Sequence, residues 1–440
     1  MSSEDWSGRR LHFVGIGGAG MSGLALVAQA LGASVTGSDR AQSSYTTRLQ
    51  EHGIQPQIGH DAANVPEDAE VVYSTAVPPE NPERQAARGR ELHRADLLAE
   101  IAALKRCLAV TGTHGKTTTA AMAVHALQGS GLEPSYLLGG ELQSTGSNAG
   151  WGTGDWIVVE ADESDRSLLK VWPDIAVLTN VELDHHSTYS SRLELEDTFR
   201  AFMARAGERA VVWARPELLA LCPEQAIPYD APEPELGPAG SRFQWRGLEV
   251  ELSVPGAHNA VNAAGALSAA FLAGADPEQA AAALRSFTGA RRRLERVGET
   301  QAGVPVYDDY AHHPTEVAAA ISGARTLEPR RLVALFQPHL YSRTQALAGQ
   351  FGEALSLADL VVVLDVYPAR ESAEDFPGVD GRLIASAAAD AAGGRAVAWL
   401  PRFPEAHAFL RTVLRGGDLC LVMGAGNVDE LARSLVSAAG

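Results

Sequence analysis

The chain has 440 residues, 45% of them apolar and 20% charged, the composition of an ordinary soluble globular protein of about three domains. A net charge of −18 with no basic stripe argues against a nucleic-acid partner. Three scattered cysteines, Cys107, Cys222 and Cys420, suggest neither a disulfide framework nor a Cys-x-x-Cys site, and the acidic start Met1–Trp6 and the lack of a long apolar run predict a cytoplasmic protein with no membrane partner.

The first block opens on a strand at 11–14, then Gly15-Ile-Gly-Gly-Ala-Gly20, a helix to about Ala30, and a strand at 34–37 ending at Asp39. Gly15, Gly17 and Gly20 match G-x-G-x-x-G between a strand and a helix, with Asp39 placed to bind a ribose. Such a loop accepts any diphosphate, so NAD and a nucleotide sugar fit it equally, and an unliganded turn has the same pattern. A further strand lies at 71–73. Residues 78–90 read as a polar loop, and a helix is predicted near 95–104.

The second block starts near Lys105. A short strand, 107–110, feeds Gly112-Thr-His-Gly-Lys-Thr-Thr-Thr119 and an alanine-rich helix after Thr117. The backbone N–H groups of such a turn and the helix N-terminus converge on one spot, which suits a nucleoside triphosphate. Within Gly112, Thr113, His114, Gly115, Lys116, Thr117 and Thr118, the lysine supplies a point charge for the β/γ-phosphates and the Thr117 hydroxyl a ligand for Mg²⁺. Val110 stands where the strict P-loop spacing has its first glycine. Apolar runs at 156–160, 175–179 and 210–213 predict a buried parallel sheet. Glu160 ends one of these strands, where a carboxylate can bind Mg²⁺. After the next comes His185, which could hold a second metal or simply be a hydrogen-bonded loop residue, with Asn180 placed to position phosphate or substrate. Asp162, Glu163 and Asp165 rank lower, as a solvated acidic turn. Residues 215–240 read as an irregular connection or a peripheral insertion. A small-residue helix, 260–273, begins at Gly256-Ala-His-Asn259, and Asn259 and Asn262 share a face that either meets a base or caps the helix.

The third block begins near Arg291, with strands at 304–307, 331–336, 360–364 and 418–423 and helices at 315–324 and 345–355. Arg291-Arg-Arg293 is either a solvated face or a clamp on phosphoryl charge. Asp308, Asp309 and His312 form a polar cluster before Pro314, a residue suited to a first helical turn. Arg343 can pair bidentately with a substrate carboxylate. All three blocks are α/β.

In order and spacing, Gly15 to Gly23, Gly112 to Thr119, Glu160-Ala-Asp-Glu-Ser-Asp165, Asp308-Asp-Tyr-Ala-His-His-Pro314, Phe336-Gln-Pro-His339 and Gly424-Ala-Gly426 resemble the Mur ligase family over nearly the whole chain. The resemblance implies three domains: a Rossmann-like UDP-sugar-binding domain (1–104), a central P-loop ATPase domain with a parallel sheet (105–290), and a C-terminal Rossmann-like domain for amino acid and ATP (291–440). It implies that ATP, with Mg²⁺, phosphorylates the carboxylate of UDP-N-acetylmuramate. L-alanine then attacks the acyl phosphate, giving the amide, ADP and phosphate. It places Lys116 on the β/γ-phosphates, Thr117 and Glu160 on one metal and His185 on a second. His258, Asn259 and Asn262 would face the adenine, and Arg292 or Arg293 the phosphates. Asp308, Tyr310, His312, His339 and Arg343 would surround the reacting centre, and Gly18, Asp39, His60 and Ser74 would help the glycine loop hold the UDP-sugar. Leu340 stands where the family motif often has arginine, and Arg200 where related ligases carry a carbamylated lysine.

A recycling ligase that joins UDP-muramate to a tripeptide is the close rival, and the small residues of Gly17 to Gly23 favour the alanine-adding reaction over it. An NAD-dependent oxidoreductase and a silent nucleotide-binding regulator are the more distant ones. A monomer or weak homodimer is expected.

Overall fold

The computed structural model describes residues 6–184, 188–206 and 209–436. They form two compact units. One runs to Pro232 and takes in 244–250 and 261–287; the other holds 233–243, 251–260 and the chain from Thr288.

The first unit contains two sheets. A five-stranded parallel sheet has the order Gln57–Ile58, Ser34–Asp39, Arg10–Val14, Glu70–Tyr73, Glu91–His93. The order reverses beside Arg10–Val14, so the glycine loop leaves the sheet at a switch point, where open α/β sheets bind ligands. The second sheet is seven-stranded, in the order Ile227–Tyr229, Ala210–Trp213, Ile175–Leu178, Arg106–Thr111, Trp156–Glu160, Ser135–Leu142, Ser147–Gly150. It is parallel except for the last pair. Arg106–Thr111 is its middle strand and is buried from Cys107 onward, hence its uninterrupted apolar run.

Two segments differ from expectation. Within 215–240, Ile227–Tyr229 extends the seven-stranded sheet as a parallel edge strand beside Ala210–Trp213. Three residues carry too short a pattern to reveal a strand, and Pro228 is tolerated because the strand is at an edge. Within 78–90, Asn81 caps a short helix, Pro82–Gln85, by accepting from the Glu83 N–H at 2.9 Å. That turn buries Glu83 completely.

The small residues of the first glycine segment have a packing reason. The helix Ala19–Ala30 lies against the hairpin of Ser135–Leu142 and Ser147–Gly150, and Asn148 Nδ2 donates to the Ala19 carbonyl. A Cβ on Gly23 would sit 3.2 Å from Asn148 Nδ2 and 3.3 Å from the Ala149 Cβ. At Gly23 the helix–hairpin contact therefore sets the size of the side chain, whereas a Cβ on Gly17 would meet Thr46 and Asp39 instead.

The second unit is built on a six-stranded sheet in the order Glu295–Glu299, Pro305–Asp309, Asp418–Met423, Arg331–Phe336, Leu360–Val363, Ala396–Trp399, antiparallel only at its first pair. Asp308 and Asp309 pair with Val422 and Met423, so both acids belong to the strand end rather than to the loop after it. The helix Tyr341–Leu355 begins four residues before the expected start. The Leu340 carbonyl closes its first turn, accepting from the Thr344 N–H at 3.1 Å and hydroxyl at 2.8 Å.

Candidate functional site

The phosphate loop is shaped by its glycines. Gly112 has φ +126°, and a Cβ there would lie 2.1 Å from Thr179 Oγ1; Gly115 has φ +77° and would bring a Cβ within 2.7 Å of Asn262 Oδ1. Neither position accepts another residue without strain. Val110, at the place of the usual first glycine, is a fully buried strand residue. The helix Lys116–Gly129 starts at Gly115 with no side-chain cap, leaving its first N–H groups directed at the loop.

Residues 179–182 strap the loop down. Asn180 accepts from the His114 N–H at 2.8 Å and donates to the His114 carbonyl at 2.9 Å. Thr113 Oγ1 donates to the Glu182 carbonyl at 3.0 Å and accepts from the Glu182 N–H at 2.9 Å. Asn180, expected near phosphate or substrate, thus spends both ends of its amide on the loop backbone.

Lys116 Nζ donates to Glu163 Oε2 at 2.8 Å and to the Gly112 carbonyl at 2.6 Å. Burial works against its charge, but Glu163, Asp162 and Glu160 outweigh that and hold the ammonium above its ordinary range. The expected solvated acidic turn is therefore a correction. Glu163 is buried beneath the lysine, while Asp165 accepts from Arg94 at 2.8 Å and from Thr75 at 3.3 Å. Across the loop, Thr117 Oγ1 donates to Glu160 Oε2 at 3.0 Å, and Glu160 Oε1 accepts from the Gly139 N–H at 2.6 Å. A hydroxyl and a carboxylate side by side are hard oxygen donors, the set that Mg²⁺ prefers. His185 lies outside the described residues.

In the first glycine loop, Gly15 and Ile16 donate to the Ser38 carbonyl, both at 2.9 Å, and Gly18 to the Gly15 carbonyl at 3.1 Å. Asp39 Oδ2 accepts from the Gly17 N–H at 2.8 Å. A Cβ on Gly17 would meet Asp39 Oδ2 at 2.9 Å. The Asp39 carbonyl takes the Gly59 N–H at 2.8 Å, which sets His60 beside the loop. Ser74, at the end of Glu70–Tyr73, accepts from the Val77 N–H at 2.9 Å.

The second unit gathers the remaining candidates except Asn262. Asn259 Nδ2 donates to the Pro255 carbonyl at 2.7 Å, within its own helix turn. Burial and the charge of Arg293 push His258 down to about 4. Arg292 keeps 18% of its side-chain surface exposed and donates to Asp308 Oδ2 at 3.0 Å and to the carbonyls of Gly426 and Gly424 at 3.0 and 2.6 Å. It locks the strand end to Gly424-Ala-Gly426. Burial pushes Asp308 up to about 7 despite Arg292, and Asp309 up to about 6 despite Arg293 and two backbone donors. The Tyr310, His312 and His339 rings form a chain of edge contacts at 5.4 and 5.9 Å. Arg343, buried, lies 3.2 Å from His339 Nδ1. Tyr367, absent from the sequence-based candidates, stacks on His339 at 5.8 Å, and a Cβ on Gly426 would lie 2.6 Å from its ring. Its signal was available: Asp365-Val-Tyr367 follows a buried apolar strand at the binding end of a parallel sheet.

These motifs match known proteins in the same order. The family model for the Mur ligase catalytic domain matches residues 10–106, that for the Mur ligase middle domain 110–270, and that for the Mur ligase glutamate ligase domain 292–426. The chain belongs to the Mur ligase family. Among Mur ligases, the UDP-N-acetylmuramate–L-alanine ligase of Acidithiobacillus ferrooxidans is 42% identical, with 96% of each chain covered. The enzyme of the same name from Rubrobacter xylanophilus is also 42% identical, covering 97% of this chain and 99% of its own. The crystal structure of the UDP-N-acetylmuramate–alanine ligase of Thermotoga maritima superposes with a TM-score of 0.83 at 29% identity, over 97% of this chain and 98% of that one. The Mur ligase fold, three α/β domains, is thus established for this chain.

Proposed function

We propose that this Mur ligase joins L-alanine to UDP-N-acetylmuramate at the expense of ATP. The observation that carries the reading is full-length similarity, 42% over 96% of both chains, to an enzyme named for that reaction. The same similarity favours free alanine over a tripeptide as acceptor. In the first unit, Gly112 to Thr118 cradle the ATP phosphates, with Lys116 released from Glu163 to the β/γ-phosphates. Thr117 and Glu160 hold Mg²⁺, which when bound neutralises phosphate charge, and His185 serves a second ion. Gly15, Gly17, Gly18, Gly20, Asp39, His60 and Ser74 hold the UDP-sugar, and Asn262 faces the nucleotide. In the second unit, His258 and Asn259 serve ATP, with Arg292 or Arg293 on its phosphates. Tyr310, His312, His339 and Arg343 serve the amino acid and the reacting carboxyl.

The chemistry asks the protein chiefly for positioning and charge. Lys116 and the helix N-terminus stabilise the transferring phosphoryl group, and the amine then displaces phosphate from the acyl phosphate. Asp308, with its raised pKa, is suited to hold or pass a proton near neutral pH. We place the enzyme in the cytoplasm as a monomer or weak homodimer; none of the described helices is long and apolar enough to cross a membrane.

Phosphate release tests the reading. Release should require ATP, Mg²⁺, UDP-N-acetylmuramate and L-alanine together, and should accompany a product with the mass of UDP-N-acetylmuramoyl-alanine. Release supported by a tripeptide in preference to alanine would overturn it.

A further inference from the structure

The helix Tyr341–Leu355, which carries Arg343, starts on a residue that cannot cap it. The first N–H groups of a helix have no carbonyl acceptor within it. Leu340, at the N-cap, has an apolar side chain and bonds none of them. Its backbone holds φ +71°, a conformation that a non-glycine residue keeps only where its surroundings impose it. Those surroundings come from another part of the chain, the loop that follows Leu360–Val363. Glu371, on that loop, takes the Ser342 N–H on Oε2 at 3.0 Å and the Ser342 hydroxyl on Oε1. A carboxylate there satisfies open donors and meets the positive end of the helix dipole.

The loop that presents Glu371 is fixed along its length. Asp365 Oδ1 accepts from the Val366 N–H at 2.9 Å and from the Gly381 N–H at 3.0 Å. The Tyr367 N–H donates to the Pro338 carbonyl at 2.8 Å, and the Tyr367 carbonyl accepts from the Leu340 N–H at 3.0 Å. The Glu371 N–H turns back to the Pro368 carbonyl at 2.9 Å. Two ring pairs reinforce these bonds: Tyr367 on His339, and Tyr341 on Phe376 at 6.0 Å and 17°. The loop therefore holds Pro338, Leu340 and Ser342 by their backbones, and His339 and Arg343 are interleaved with them. Those two side chains lie 3.2 Å apart, from the histidine Nδ1 to a guanidinium nitrogen. Fraying of the first helical turn would move both.

We propose that Glu371 is a positioning residue for the amino acid: by capping the helix that Leu340 cannot cap, it holds Arg343 and His339 at the spacing that receives the acceptor. Its carboxylate acts through the first turn of the helix. This rests on the reading that His339 and Arg343 serve the amino acid.

Variants at this position separate the cap's geometry from its charge. Glu371→Ala removes the cap. Glu371→Gln keeps it, because the amide oxygen takes the Ser342 N–H and the amide NH₂ donates to the Ser342 hydroxyl, which can also accept. Glu371→Asp keeps the charge but draws it back by one methylene. The experiment reads hydrogen exchange over residues 341–344 of the ligand-free protein, and the KM of each substrate from phosphate release. Glu371→Ala should speed exchange at the helix start. It should raise the KM for L-alanine about tenfold, the factor that one hydrogen bond to a charged group supplies. The KM values for ATP and UDP-N-acetylmuramate should stay within about twofold, since their contacts lie elsewhere. Glu371→Gln should leave exchange and the alanine KM at their wild-type values. If Glu371→Ala does not fold, Glu371→Asp carries the same expectations. Unchanged exchange, an unchanged alanine KM, or a glutamine variant that behaves as the alanine one overturns the proposal. So does an equal rise in all three KM values, the result that a merely structural role would give. A wild type inert toward L-alanine would sink the substrate reading instead, while the exchange rates would still judge the cap.

Discussion

Lys116 is held in a ready position by Glu163, a partner 47 residues away. An ammonium already anchored near its target loses little freedom when phosphate arrives, so its removal should be felt in the chemical step. Lys116→Ala is expected to lower turnover at least about 100-fold, the scale of one preorganised charge contact. Steady-state phosphate release checks this, and near-normal turnover would refute the role. Asp308 gives a second residue-scale expectation. Its folded pKa, about 7, exceeds the unfolded value of about 3.9. Folding therefore takes up a proton between these values. The carboxyl's contribution to stability is complete below about pH 4 and is lost as pH rises through about 7. Relative to Asp308→Asn, the wild type should lose stability as pH rises from about 4 to about 7 in urea melts, because the asparagine does not ionise. A difference that stays flat, or runs the other way, would contradict the burial argument.

At the scale of elements, the helix Ala19–Ala30 and its hairpin meet through side chains too small to be replaced. Gly23→Val would drive branched carbons into Asn148, Ala149 and Leu137. It should cost about 1–3 kcal/mol by overpacking, measured by thermal melting of the variant. An unchanged melt would mean that the hairpin can yield. The phosphate loop shows what a sequence reader gains from turn chemistry. Gly112 and Gly115 were legible because positive φ is a local demand that few other residues meet. The strands Trp156–Glu160, Ala210–Trp213, Arg331–Phe336 and Asp418–Met423 were legible from their apolar runs alone. Ile227–Tyr229 was not, since a short edge strand depends on the neighbour that it pairs with.

At the scale of the whole molecule, two glycine loops of unlike design serve two nucleotides in the proposed reaction. The first is braced by the carboxylate of Asp39 on the Gly17 N–H, the second by the amide of Asn180 on His114. The braces are separate, so their losses should be separable. Asp39→Ala should weaken UDP-N-acetylmuramate binding by about tenfold or more, a charge-assisted bond being worth about 1.5–3 kcal/mol, while ATP binding stays within about twofold. Calorimetry with each ligand decides it, and equal losses for both would point to a folding defect.

The amino-acid sequence by itself determined the α/β class, the two phosphate-binding turns, most strands and helices, and membership of the Mur ligase family. Those features rest on periodicity, on glycine geometry and on motif order, all of which are written along the chain. Tertiary structure alone decided the company that polar groups keep. Glu163 became the partner of Lys116, Asn180 a strap, Arg292 a lock on Gly424-Ala-Gly426, and Glu83 a buried carboxylate reaching Ser38 from 45 residues away. The physical reason is that a buried polar group must find its partner wherever the fold brings one within bonding distance, and no local pattern records where that is.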